Sequence, residues 1–248
     1  MSAIPYKTAL IVGTGAGLSA SLTRALTQAG LRVMVAARDI EKLESLCAET
    51  GASAFTVDAT DAPQVQRLFN DVESEAGAPE VVVYNASGRL RGAFVELAPA
   101  EVERAISVSA FGGFLIAQQA ARRMLPKRSG AILFTGASAS IKGYAQSAPF
   151  AMGKFALRGL AQSLARELSP QGIHVAHFVI DGAIRRAANG RAANGRAANG
   201  NPGLSEPPGS PDSMLDPDAI AASYLDILRQ PRNAWTWELE LRPWVEKF

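Results

Sequence analysis

A chain of 248 residues with 48% apolar content and a formal net charge of +2 is long enough for one α/β domain with a sizeable core, and that balance excludes nucleic acid and anionic membrane as expected partners. Its one cysteine, Cys47, excludes an internal disulfide and any cysteine-based metal cluster, and reads as a buried helix packing position. Residues 1–7 lack a charged segment with an apolar run, and no uninterrupted apolar stretch nears the roughly 18 residues of a membrane span, so a cytoplasmic protein is expected.

Short continuous apolar runs, as strands buried on both faces require, alternate with helical spacing along the first three quarters of the chain. Thr8 to Val12 reads as the first strand and runs into Gly13-Thr14-Gly15-Ala16-Gly17-Leu18-Ser19. Leu18, Leu22, Ala25, Leu26 and Ala29 then keep helical spacing up to Gly30, a glycine placed for a left-handed cap. Arg32 to Ala37 and Ser53 to Val57 read as strands two and three. A helix carrying Val65, Leu68, Phe69 and Val72 ends at Gly77, and Glu80 to Tyr84 is the fourth strand. One long helix is expected from Glu101 to Leu125, then strands at Ala131 to Thr135 and Ile173 to Ile180, separated by a helix through Leu157, Leu160, Ala161 and Leu164. Asp216 to Leu228 resumes helical spacing and Trp235 to Leu241 alternates as a last strand. Parallel strands joined by crossover helices give a single-domain, Rossmann-type, doubly wound sheet of about seven strands over residues 1–248, with helices on both faces and ligand sites at the strands' carboxyl ends.

One stretch breaks this pattern. Arg186-Ala-Ala-Asn-Gly190 occurs three times in succession, and a Pro, Gly and Ser rich segment follows to Pro211. With only alanine as apolar content the repeats bury too little to offset their ordering entropy, so residues 185–211 are expected to be a loop insertion rather than a solenoid. The competing role for Arg185, Arg186, Arg191 and Arg196 is a basic clamp for an anionic substrate.

The glycine turn follows a strand and opens a helix, where free amides and the helix dipole favour a pyrophosphate. About 20 residues further on, an NAD site presents a carboxylate to the adenosine ribose; this chain has Ala37-Arg38, and an arginine fork accepts a 2′-phosphate, so NADP(H) is expected in preference to NAD(H).

At this point the chain resembles the classical short-chain dehydrogenase/reductase family over nearly its whole length. The family's TGxxxGxG turn corresponds to residues 12–19, with the threonine replaced by Val12 and the last glycine by Ser19. Its NNAG element corresponds to Tyr84-Asn85-Ala86-Ser87, which keeps Asn85 and Ala86. The resemblance implies cofactor contacts from Gly13, Gly15, Gly17, Leu18, Ala37, Arg38, Asp58, Ala59, Asn85, Ala86, Lys154, Asp181, Gly182 and Ile184, with Asp181-Gly182 standing where the family has Pro-Gly. It also implies hydride transfer between nicotinamide and a small carbonyl or alcohol substrate, and assembly as a homodimer or homotetramer.

In that family a tyrosine handles the proton, a lysine four residues later lowers its pKa and holds the ribose, a serine orients the substrate, and an asparagine supports a water relay. Lys154 fits the lysine, but Phe150 occupies the tyrosine position and has no proton to give. Ser138 is the best match for the serine, although the family spacing lands on Ala137, and Ser109 replaces the asparagine. Tyr144, the nearest tyrosine in sequence, is the first substitute acid, with Asp181 or a Lys154-bound water behind it. Losing a positioned acid costs about 10² to 10⁴ in rate while leaving hydride positioning intact. The alternatives are a reductase of enoyl thioesters, with Arg89 and Arg91 meeting an anionic carrier, and a non-catalytic NADP(H)-binding sensor or scaffold. His174 and His177 lie three apart on one strand and face opposite sides, so no metal site is expected.

Overall fold

The computed structural model describes residues 3–185 and 211–246. Seven parallel strands form one sheet in the order β3-β2-β1-β4-β5-β6-β7: β1 (Thr8–Val12), β2 (Arg32–Ala37), β3 (Ser53–Thr56), β4 (Val81–Tyr84), β5 (Gly130–Thr135), β6 (Ile173–Ile180) and β7 (Glu238–Leu241). The helices are α1 (Leu18–Gln28), α2 (Glu44–Thr50), α3 (Ala62–Ala76), α4 (Pro99–Ile106), α5 (Gly112–Met124), α6 (Ala148–Leu168) and α7 (Pro217–Leu228). The expected doubly wound architecture is thus present, with β3, β4 and β7 one to three residues shorter than the apolar runs indicate. Successive strand side chains point to opposite faces, and both are apolar. Leu10 and Val12 join Met34, Val82, Ile132 and the helices α3, α5 and α6; Ala9 and Ile11 join Val35, Val83, Leu133 and the helices α1 and α7.

Strand order reverses between β1 and β4, which opens a crevice at their carboxyl ends. Gly13 sits there at φ 87°, a conformation that disfavours any side chain, and an added Cβ stands only 2.3 Å from the Ala86 amide nitrogen. Asn85 completes the contact, since its Nδ2 donates to the Gly13 carbonyl at 3.1 Å. Of the glycines that close helices, Gly51 takes the left-handed conformation, whereas Gly77 has φ 81° and ψ 169° and leads straight into the approach to β4. Cys47 is half-buried rather than fully enclosed.

The single helix expected from Glu101 to Leu125 is instead interrupted by a π-helical stretch, Ser107–Phe111. Wider turns of this kind leave a carbonyl poorly paired along the helix, and the buried Tyr84 hydroxyl donates to the Val108 carbonyl. Gly112 makes room for that phenol, because an added Cβ there stands 2.4 Å from the Tyr84 oxygen. Removing the hydroxyl by Tyr84→Phe is expected to lower unfolding free energy by about 1 kcal/mol, measured by urea denaturation; an unchanged midpoint shows that the π turn is held by its neighbours alone.

Candidate active site

The first turn of α1 carries no side-chain cap and no acidic residue, whereas α3 and α7 are capped by Asp61 and Asp216. An uncapped helix start directly after a glycine turn suits an external anion. Gly17 fronts open space, with nothing within 4 Å of an added Cβ. Ser19, in place of the family's last glycine, is buried and braces the turn: its Oγ accepts from the Gly15 amide at 2.9 Å and donates to the Gly15 carbonyl at 3.2 Å. At the end of β2, Ala37 is half-buried and Arg38 exposed. Asp58 accepts from the Thr60 amide and hydroxyl at 2.9 and 2.7 Å; these bonds, aided by the charge of Arg38, hold its carboxyl below the usual range. Ala59 is buried beside Gly112. In the loop after β4 the Ser87 hydroxyl is buried with no hydrogen-bond partner among the described residues.

Lys154 lies on α6 and is 2% exposed, with Nζ donating to the Thr135 carbonyl at 2.8 Å. Burial pushes its ammonium down to about 8. Thr135, the last residue of β5, is held in turn by Tyr224 of α7, the two hydroxyls 2.8 Å apart, and the Tyr224 ring stacks on Phe178. Phe150 stands one turn before Lys154, with Nζ 6.0 Å from its ring centroid. Gly153 lets α6 press against the π stretch, since an added Cβ stands 2.6 Å from Ser109 Cβ. Ser109 is fully buried, and its Oγ clamps Gly88, accepting from the amide at 3.0 Å and donating to the carbonyl at 3.3 Å.

Behind the Ala137 position runs a buried chain of hydrogen bonds. The Ala137 amide donates to Ser140 Oγ at 3.2 Å, Ser140 Oγ lies 3.4 Å from His177 Nε2, and His177 Nδ1 lies 3.1 Å from Glu238 Oε2. Arg158 closes the chain, gripping both Glu238 oxygens at 2.6 and 2.8 Å. The network assigns the proton to Nδ1, so that imidazole donates to the carboxylate and accepts from the serine. Burial pushes His177 down to about 4, with Lys154 adding to the shift and Glu238 opposing it. Burial raises Glu238, and Arg158 and His177 more than offset that, leaving it below its ordinary value. His174 has a separate role, its Nε2 2.9 Å from the Thr236 carbonyl and its ring stacked on Trp235.

Not every expected site residue converges on Lys154. Tyr144 is half-exposed on the loop before α6, and among the described residues no hydrogen bond joins it to Lys154 or Phe150. Ser138 contributes its carbonyl to the Ile141 and Lys142 amides. Asp181 is 2% exposed, and its Oδ2 meets Lys142 Nζ at 2.7 Å and Arg242 at 3.4 Å, so it ties the β5 loop to the sheet and is engaged as an acceptor. Gly182 packs against Pro243, and Ile184 bridges to Leu215. Of the proposed basic clamp, Arg185 pairs with Asp216; Arg186, Arg191 and Arg196 fall outside the described residues, as do the repeats themselves. Among the described residues no cluster of three or more metal-ligating side chains occurs, and no helix is long and apolar enough to cross a membrane. Lys142, Ser140 and Glu238 were not singled out by sequence for these contacts; the lysine two residues after Ser140 was the one available signal.

A glycine turn after β1, a crevice at the order reversal and a buried lysine one helical turn from an aromatic side chain define a Rossmann-type α/β protein of the oxidoreductase kind. The sequence profile of the short chain dehydrogenase family matches residues 7–191, and the chain belongs to that family. It is 31% identical to a short-chain dehydrogenase from Rhodopseudomonas palustris whose crystal structure aligns at TM-score 0.76, covering 97% of this chain and 100% of that one. It is 30% identical over 178 residues to the 3-oxoacyl-[acyl-carrier-protein] reductase MabA of Mycobacterium avium, covering 72% of this chain and 67% of that protein. It is also 30% identical over 175 residues to short chain aldehyde dehydrogenase 1 of Euphorbia lathyris, covering 68% of this chain but only 61% of that protein. A metagenomic short-chain oxidoreductase in complex with NADP, 24% identical, shares the fold at TM-score 0.79.

The His177 chain makes stability pH-dependent in a set direction. The unfolded imidazole takes a proton below about 6.5 and the folded one only near 4, so stability present at neutral pH is lost as pH falls through that window. The thermal midpoint is expected to drop by on the order of 5 °C between pH 7 and pH 5, and His177→Gln to flatten that slope. Parallel slopes in the two proteins rule out His177 as the source.

Proposed function

We propose that this chain is an NADP(H)-dependent oxidoreductase that moves hydride to or from a small carbonyl or alcohol substrate, with a proton donor other than the side chain at position 150. The buried Lys154 at the carboxyl end of β5 carries this reading, since an unpaired ammonium in a core is costly and its retention beside the crevice fits a ligand-holding role. The residues present fit the cofactor: the uncapped α1 terminus and open space at Gly17 suit a pyrophosphate, the orphaned Ser87 hydroxyl lacks a partner, and Arg38 replaces a carboxylate that repels a 2′-phosphate. When bound, NADP(H) supplies or accepts the hydride. Gly13, Gly15, Gly17 and Leu18 then hold the pyrophosphate side, Ala37 and Arg38 the ribose phosphate, and Asp58 and Ala59 the adenine side. Asn85, Ala86 and Lys154 hold the nicotinamide ribose side, next to the segment from Asp181 through Gly182 to Ile184.

Phe150 makes this an atypical member of its family. Lys154 keeps its positioning role, and proton delivery falls to Tyr144 or to a water held by Lys154. A second reading, hydride addition to an enoyl thioester, is favoured by the same phenylalanine, because protonation at carbon does not need a hydroxyl at position 150. A homodimer or homotetramer accounts for the exposed apolar residues Phe111, Phe114, Met152 and Phe155 around α5 and α6; a monomer in light scattering removes that assignment.

Calorimetric titration tests the cofactor assignment: NADPH is expected to bind at least about tenfold tighter than NADH, with the preference lost in Arg38→Ala. Affinity should also weaken as pH rises through 8, where Lys154 loses its proton, and Lys154→Met should remove that dependence. Failure of both nucleotides to bind leaves a scaffold role. With a panel of ketones and enoyl thioesters, Phe150→Tyr is expected to raise carbonyl reduction by about 10² or more if only the acid is missing; no gain, with nucleotide binding intact, points to the thioester or to a non-catalytic binder.

A further inference from the structure

The short segment after β4 carries two arginines and is fastened at both ends. Gly88 is clamped by Ser109 and packs so closely on α4 that an added Cβ stands 2.6 Å from the Ala105 carbonyl oxygen. The Gly92 amide donates to the Gln146 carbonyl at 3.1 Å, so the other end is tied to the loop that leads into α6. Between these anchors Arg89 places its guanidinium carbon 5.4 Å from the centroid of the Phe150 ring, the same ring that lies 6.0 Å from Lys154 Nζ. Two cations thus share one aromatic ring at the position where the family places its acid. Among the described residues neither Arg89 nor Arg91 has an ion pair or a hydrogen bond, although nine other arginines and lysines find a carboxylate. Partial burial and the charge of Arg91 both push the Arg89 guanidinium down, which marks uncompensated positive potential.

A cation lying over a ring keeps its N–H donors available at the edge, and a guanidinium presents them as a fork matched to a planar carboxylate or to two phosphate oxygens. We propose that Arg89 is the specificity-determining residue for a substrate bearing an anionic oxygen group, carboxylate or phosphate, held with its reacting carbon on the Lys154 side of the Phe150 ring. Arg91 adds to the field that draws the anion in. This deepens the oxidoreductase reading and rests on it only for what happens to the substrate after it has docked.

The test uses two matched pairs, 3-oxobutanoate against its ethyl ester and dihydroxyacetone phosphate against dihydroxyacetone. Each is titrated calorimetrically into the full-length protein with and without NADPH, and NADPH oxidation is followed in parallel. One anion is expected to bind at least about tenfold tighter than its neutral partner, which pair shows this identifying carboxylate or phosphate. Arg89→Gln should remove that preference by about ten- to a hundredfold while leaving NADPH affinity unchanged, and Arg89→Lys, which keeps the charge but not the fork, should retain part of it. Equal binding within both pairs, no binding of either anion, or a preference that survives Arg89→Gln overturns the proposal. Anion preference without NADPH oxidation supports the site and removes these ketones as substrates of the oxidoreductase. Oxidation with the neutral ester equal to that with the acid, unaltered in Arg89→Gln, removes the site and leaves that reading standing.

Discussion

Lys154 carries an ammonium into the interior, where among the described residues its one hydrogen-bond partner is the Thr135 carbonyl at the tip of β5. That carbonyl stays in place because β5 is paired on both sides, with β4 and with β6, and because Tyr224 reaches across from α7 to hold the Thr135 hydroxyl. Two helices on opposite faces of the sheet are therefore joined through one residue. Gly153 removes the side chain that would otherwise separate α6 from Ser109, and Ser109 in turn fixes the start of the Arg89 segment. A single desolvated cation thus sets where α6, the π stretch and two loops must lie.

The surroundings of that cation are arranged to stay neutral or acceptor-rich. His177 is close enough to Lys154 for the two charges to oppose one another, and its Nδ1 proton is committed to Glu238. The Ser140 hydroxyl then orients the Ala137 amide from behind the strand end. Electrostatics and backbone placement are one problem here, since the serine that braces the loop depends on the tautomer of a histidine fixed by β7. Ala137 and Phe150 bring no polar side chain to this end of β5, whereas the Ser140, His177 and Glu238 groups behind it are engaged with one another.

Much of this was legible in the chain. Continuous apolar runs set the observed limits of β1, β2 and β6 because both faces of a parallel sheet are dry. Gly13 could be read as a turn residue because positive φ and close approach both exclude a side chain. Lys154 and Phe150 were visible as a pair one helical turn apart. What escaped the sequence depends on register: Lys142 with Asp181 and His177 with Glu238 lie 39 and 61 positions apart, and only parallel pairing brings them together. The π stretch escaped for a different reason, since Ser107–Phe111 has the composition of an ordinary helix and the Val108 carbonyl of its wider turn meets a phenol, Tyr84, from a distant strand. Asp181, read as part of the nucleotide contact set, also stands at the centre of an ion cluster that sequence spacing alone could not reveal.

Ile184 and Leu215 form a parallel bridge, reinforced by the Arg185 amide to the Leu215 carbonyl and the Leu215 amide to the Ala183 carbonyl. The two ends of the intervening chain are thereby stapled beside the crevice independently of what lies between them. Because closure entropy grows only with the logarithm of length, by about 0.6 kcal/mol for each doubling, the insertion point is a socket that accepts segments of different size. Changes of length between these two ends therefore leave the sheet, the glycine turn and the lysine in their places, so this junction can absorb sequence variation without refolding the nucleotide half.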